Sequence, residues 1–295
     1  GSSELNNIQS LKCNKFDNIQ KAISFYLSSM ADTKIHSACF ATAGTVHLDT
    51  FKLANNHWTI NKSEVASVLK DVDINWINDF TAQALATTTL TDSDVAVINK
   101  GIAKPEKLRL VIGPGTGLGV CGLVMTKSGW VPIAGEGGHS DFAPNTKLEF
   151  EILTLLTKKF GHVAVERILS GPGILNLYEA LCQINGVDTI FKSPSDITAA
   201  AVSKDSNPIA EETIQMFCKI FGSVAGSMAL TIGALGGVYI TSDLVRNFLE
   251  LFIDSDFQQS FENKGRLKPV MENIPIYLSK KENMGLIGTV YQLNN

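Results

Sequence analysis

Four glycines at alternate positions, Gly113, Gly115, Gly117 and Gly119, separate two apolar runs, Leu108 to Ile112 and Val120 to Met125. The pattern predicts a strand, a tight glycine turn and a second strand. A turn without Cβ atoms leaves backbone N–H groups open to the close approach of a phosphate. The segment is not a Walker A loop, because no Lys-Ser/Thr pair closes it. Alternating glycines followed by a strand also exclude the dinucleotide fingerprint, which opens a helix. A hairpin whose glycines do no more than permit tight turning accounts for the spacing equally well. Downstream, G135-E-G-G-H-S-D-F-A-P144 sets the carboxylate of Glu136 and the imidazole of His139 around two further glycines. A phosphate cradle with a polar pocket close by in sequence is what a small-molecule kinase needs.

With 295 residues, 44% of them hydrophobic, the chain can bury one large core or two smaller ones. A net charge of −4 and a pI near 5.8, with no basic cluster, argue against a nucleic-acid surface. The five cysteines, Cys13, Cys39, Cys121, Cys182 and Cys218, are scattered with no CxxC pair. They predict reduced, buried thiols in a cytoplasmic protein. No secretory signal is visible, and the chain opens G-S-S-E-L without an initiator methionine. The longest apolar region, Phe217 to Leu235, contains Lys219, Gly222, Gly226 and Gly233, which predicts a buried helix and a turn. Gly222 and Gly226, four apart, would let another segment of the same core approach closely.

Asp17 to Met30 has the periodicity of an amphipathic helix, with Asp17 as its expected N-cap. Strands are expected at 35–41 and 46–52, joined by A43-G-T45, and Asn61 with Glu64 marks a helix ending near Leu69. Ile74 to Ile77 reads as a strand that runs into a helix at Asp79, and 94–98 as another strand. Farther on, helices are expected at 147–159, 164–169 and 172–184, and a long one from Pro208. Strands follow at 238–241 and 274–278. The interleaving predicts an α/β protein of two lobes. Their expected limits are 1–89, completed by a C-terminal helix at 280–295, and 90–279.

Asp79 lies at a strand end, where a carboxylate could accept a proton from a sugar hydroxyl. The residue serves equally as the cap of the helix it opens. Glu136 and His139 suit sugar hydroxyls, since each hydroxyl needs a well-placed partner. As metal ligands they lack a third member. His162 and Glu166 are expected four apart on one helix face as a solvated or capping pair, whereas His36, His47 and His57 receive no role.

Together, W76-I-N-D-F-T-A82, G113-P-G-T-G-L-G119, G135-E-G-G-H-S-D-F-A-P144, V165-E-R-I-L-S-G-P-G173 and G236-G-V-Y-I240 resemble, in order, the bacterial glucokinase family. The resemblance implies a two-lobed actin-like, ribonuclease H-like α/β fold of the hexokinase type. It also implies a cytoplasmic, homodimeric enzyme that uses MgATP to phosphorylate D-glucose on the 6-hydroxyl, with lobe closure excluding water. Asp79 would be the general base, and Asn78, Asp79, Glu136, Gly137, His139 and Glu166 would line the sugar. Gly113, Gly115, Thr116 and Gly117 would wrap the phosphates of ATP. Gly236 and Gly237 would open the strand Gly236 to Ile240, which with the turn after it would border the adenosine, and no side chain is assigned as a ligand of Mg²⁺. A non-catalytic sugar-binding homologue and a kinase for a related hexose are the alternatives.

Three departures from the family pattern stand out. Members begin with a strand and a D-x-G-G-T loop absent from this sequence, and a segment ahead of Gly1 is the expected explanation. Ser242 and Asp243 replace the usual glycine pair after the G-G-V-Y-I strand, which bears on nucleotide preference. The A-G-P-V turn reads A43-G-T-V46. The cysteine-rich zinc motif of the related repressor/kinase group is missing, which argues against a DNA-binding role.

Overall fold

Helix α1 (Ile19–Ser28) is capped by Asn18, whose side chain accepts the Lys21 N–H, and not by Asp17 as expected. Starting one residue later buries Ile19 and Ala22 and leaves Asp17 free to pair with Lys21 on the exposed side. The computed structural model describes residues 5–30, 33–53, 56–70 and 72–294. The opening G-S-S-E lies outside them. Two compact units divide the chain: Gly1–Thr89 with Asn283–Asn295, and Leu90–Glu282.

In the first unit, β1 (Ser37–Thr42) does not form a hairpin with the strand after the A43-G-T45 turn. That strand, β2 (Thr50–Lys52), pairs antiparallel with β3 (Thr59–Asn61). Helix α2 (Lys62–Leu69) follows, with Asn61 accepting the Glu64 N–H as the sequence predicts. β4 (Asp73–Asn78) then lies parallel to β1, with Phe40 opposite Trp76. Their rings stack 4.5 Å apart, and Phe51 meets Trp76 edge-on. This aromatic contact helps to select the long-range parallel partner over the local one. Val46 to Asp49 is turn, so the expected strand there shrinks to three residues. Phe51, Trp58, Ile60 and Val65 complete a small core. The strand β4 runs directly into α3 (Asp79–Ala86).

The second unit is built on a six-stranded sheet in the order β5-β10-β9-β6-β7-β8. Its strands are β5 (Val95–Asn99), β6 (Arg109–Pro114), β7 (Leu118–Thr126), β8 (Gly129–Gly135), β9 (Val238–Ile240) and β10 (Ile276–Ser279). The strands β6, β9 and β10 are parallel, β6-β7-β8 is an antiparallel meander, and β5 closes the other edge antiparallel to β10. One sheet face, with Leu110, Ile112, Val238, Ile240, Ile276 and Leu278, is fully buried under helices. These include α4 (Lys147–Phe160), α5 (Gly171–Asn185), α6 (Pro194–Val202) and α7 (Pro208–Ile232).

Helix α7 is the long apolar segment, and most of it is buried in this core. Four short helices follow: α8 (Asp243–Arg246), α9 (Leu249–Ile253), α10 (Phe257–Glu262) and α11 (Lys268–Met271). The glycine pair of α7 receives α10, as a Cβ at Gly222 would sit 2.0 Å from the Phe257 carbonyl oxygen. The predicted helix at 164–169 is only a 3₁₀ turn, Val165–Arg167. Ser140 O takes the Val165 N–H, and Phe142 N–H goes to Val163 O, so cross-chain bonds replace helical ones. The last helix, α12 (Met284–Asn294), returns to the first unit and packs on α3 and β1.

All five cysteines are free. Cys121, Cys182 and Cys218 are buried as expected, whereas Cys13 and Cys39 are half-exposed.

Candidate functional site

The alternating glycines form the hairpin between β6 and β7, with Gly113 opposite Gly119 and Pro114 opposite Leu118. Gly113 and Gly117 are each required by a close neighbour. A Cβ on Gly113 would lie 1.9 Å from the Thr241 carbonyl oxygen, so the neighbouring β9 demands the bare backbone. At Gly117 a Cβ would meet Glu166 Oε2 at 2.7 Å. Gly115 is exposed, and a Cβ there would meet nothing within 4 Å. Neither crowding nor a positive φ requires glycine at 115.

The turn is held at two points. Gly171 N–H, at the start of α5, donates to Gly115 O at 2.8 Å, and Leu118 N–H donates to Glu166 Oε2 at 3.4 Å. Within it Gly115 N–H bonds Gly117 O. The N–H groups of Thr116 and Gly117 meet no acceptor among the described residues. Both anchors come from one short segment, residues 166–171. Ser170 ties that segment together: its hydroxyl donates to Glu166 O and accepts the Gly173 N–H, capping α5.

Gly137 and Gly138 lie tightly on β7. Their Cβ positions would fall 3.1 Å from the Val120 side chain and 2.4 Å from Leu118 O. This close seating carries Glu136 and His139 to the same end of the hairpin as the turn. His139 Nδ1 is 3.8 Å from Glu166 Oε1, an approach too long for a direct hydrogen bond. Glu136 is exposed. The expected His162–Glu166 helical pair does not form, because His162 precedes the 3₁₀ turn and Glu166 lies within it. His162 instead pairs with Asp141 at 2.6 Å.

Gly236 and Gly237 are not brought to the turn. They open β9 at its far end, where Gly236 N–H bonds Leu108 O and a Cβ would clash with Lys107 O at 2.3 Å. Gly237 takes a φ of +119°. Strand packing accounts for Gly236, and backbone conformation for Gly237. The residues of this connection that do reach the hairpin end are Ser242, in the turn that the resemblance places at the adenosine, and Thr241, which carries no sequence signal. Ser242 Oγ donates to Pro114 O at 2.5 Å and caps α8. Thr241 Oγ1 is buried and has no hydrogen-bond partner among the described residues. Burial raises the thiol of Cys121, on the neighbouring β7, to about 12, so it is not a nucleophile near neutral pH.

In the first unit, Asn78 caps α3, with its Oδ1 accepting from Phe80 N–H at 2.9 Å and Thr81 N–H at 3.0 Å. Asp79 is the first residue of the helix and does not cap it from the preceding position. Its Oδ1 lies 2.9 Å from the Phe80 N. Its Oδ2 has no hydrogen-bond partner among the described residues.

The family model described as Glucokinase matches residues 1–295. A glucokinase of Hahella chejuensis is 46% identical over 294 residues, covering 100% of this chain and 91% of the relative. One of Marinobacter nauticus is 41% identical over 295 residues, covering 100% and 92%. Among solved structures, a glucokinase from an Antarctic psychrotroph matches with a TM-score of 0.85 at 32% identity, over 97% of this chain and 88% of that one. A glucokinase from Balamuthia mandrillaris, solved with glucose, has the same fold, with a TM-score of 0.78 at 20% identity over 95% and 85%. With matching motifs in order and a matched fold, the chain belongs to the glucokinase family.

Proposed function

We propose that the chain transfers the γ-phosphoryl group of ATP to the 6-hydroxyl of D-glucose. The observation that carries the reading is an open glycine turn hung from the short segment that also presents Glu166 beside His139. The free N–H groups of Thr116 and Gly117 suit phosphate oxygens, and bare Gly115 leaves room for them. The orphaned Thr241 hydroxyl is a ready partner for the same ligand. Glu136 and Glu166 accept from sugar hydroxyls, and His139 donates or accepts according to its tautomer. Because the Asn78 Oδ1 is committed to its helix cap, its amide NH₂ is the group left for a hydroxyl.

Asp79 keeps an unengaged carboxylate oxygen, which takes the proton of the attacking 6-hydroxyl. Among the described residues no group of three or more metal-ligating side chains exists. That suits Mg²⁺ arriving with the nucleotide, since this ion keeps waters and phosphate oxygens as ligands. When bound, it neutralises phosphate charge. The resemblance also carries the expectation of a cytoplasmic homodimer, which light scattering on the purified protein tests.

A coupled assay across several hexoses tests the activity. Turnover of glucose above the other sugars is the expected result. Glucose binding without turnover selects the non-catalytic sugar-binding homologue, and faster turnover of another sugar selects a related hexose kinase.

A further inference from the structure

We infer that Glu166 is a positioning residue that links sugar occupancy to the shape of the phosphate turn, within the second unit alone. The inference rests on the glucose reading of the site. One carboxylate oxygen of Glu166 faces His139 at 3.8 Å, and the other accepts Leu118 N–H at 3.4 Å. Both contacts are long for a carboxylate, whose charge-assisted bonds run nearer 2.7–2.9 Å. The group thus rests between two partners without being locked to either.

A sugar hydroxyl that donates to the His139-facing oxygen draws the carboxylate toward the sugar. The same motion alters its hold on Leu118, the residue that closes the turn. The opposite end of the turn is fixed, because Gly115 O is bonded to Gly171 N–H and Ser170 clamps Glu166 O to the same segment. With one end pinned and the other attached to a movable carboxylate, the orientation of the Thr116 and Gly117 N–H groups follows the sugar. Linkage then requires the reverse as well: ligands on the turn change sugar affinity by the same factor.

Gly117 supplies the test, because its φ is not in the left-handed region and, among the described residues, a Cβ there would meet only the Glu166 carboxylate within 4 Å. An added methyl therefore pushes on Glu166 without straining the backbone. The measurement is calorimetry of D-glucose alone, with no nucleotide, on the full chain and on Gly117→Ala. The expected result is glucose affinity weakened about fivefold or more, although residue 117 lies on the nucleotide turn. A glucose Kd within about twofold of the parent, in a variant with unchanged circular dichroism, overturns the link.

Glu166→Asp gives an independent reading should Gly117→Ala fail to fold. Retracting the carboxylate from Leu118 weakens the non-hydrolysable analogue AMPPNP in the absence of sugar, by about threefold or more. An unchanged AMPPNP Kd overturns the inference. If the parent chain itself binds no glucose, the functional reading fails and the link falls with it, an outcome distinct from glucose binding that ignores residue 117.

Discussion

Asn78 and Asp79 stand side by side at the end of β4, yet the fold gives them separate tasks. The cap of α3 belongs to Asn78, so Asp79→Ala removes a carboxylate from the first turn without uncapping the helix. Its expected stability cost is below about 1 kcal/mol, the size of a helix-dipole term. Asn78→Ala leaves the Thr81 N–H without its acceptor and the Phe80 N–H with Asp79 Oδ1 alone, and is expected to lose about 1 kcal/mol in urea unfolding. The sequence marks the strand end as special and allows Asp79 to be both the cap and the base. Which of two adjacent polar residues turns back onto the helix depends on φ and ψ at the boundary, and composition does not carry that. Thr241 was missed for a related reason. A threonine after an apolar strand looks ordinary until its hydroxyl is found buried and unpaired beside the glycine turn.

Glycines explain how elements pack, and their tests belong at that scale. A Cβ on Gly288 of α12 would fall 1.7 Å from Ala82 O of α3, so the two helices touch backbone to backbone. Gly288→Ala must separate them. We expect a loss at or above about 3 kcal/mol, the upper end for overpacking, read as a lower urea midpoint. The existence of most elements is readable from the sequence, including the β6–β7 hairpin, α7 with its glycine pair, and the cap at Asn61. Partner choice was not. The sequence marks a strand at 35–41, whereas the stacking of Phe40 on Trp76, thirty-six positions away, helps to decide what it pairs with. The 164–169 segment misled because its apolar spacing fits a helix, and its amides are instead taken by Ser140 and its own 3₁₀ turn.

At the scale of the whole molecule, ionisation of one capping carboxylate makes stability depend on pH. Thr91 backbone N–H, with the Thr91 hydroxyl and Lys281, holds Asp94 below its ordinary value of 3.8. A lowered carboxylate stabilises the fold above its unfolded pKa, and that contribution is lost as pH falls through the folded value. The stability difference between the parent and Asp94→Asn should therefore be full at pH 6 and shrink below 3.8, as followed by urea unfolding across that range.

Fold class and family were legible because ordered motifs constrain the whole chain, and the matched fold and the relatives agree with them. Roles at individual side chains are proposals of a finer grain. The most direct test of the central one compares turnover and glucose binding in the parent chain and in Asp79→Ala. The account predicts a kcat lower by about 10²–10⁴-fold with glucose still bound in calorimetry, since a general base acts mainly in the transition state. Near-parental turnover in that variant would contradict it.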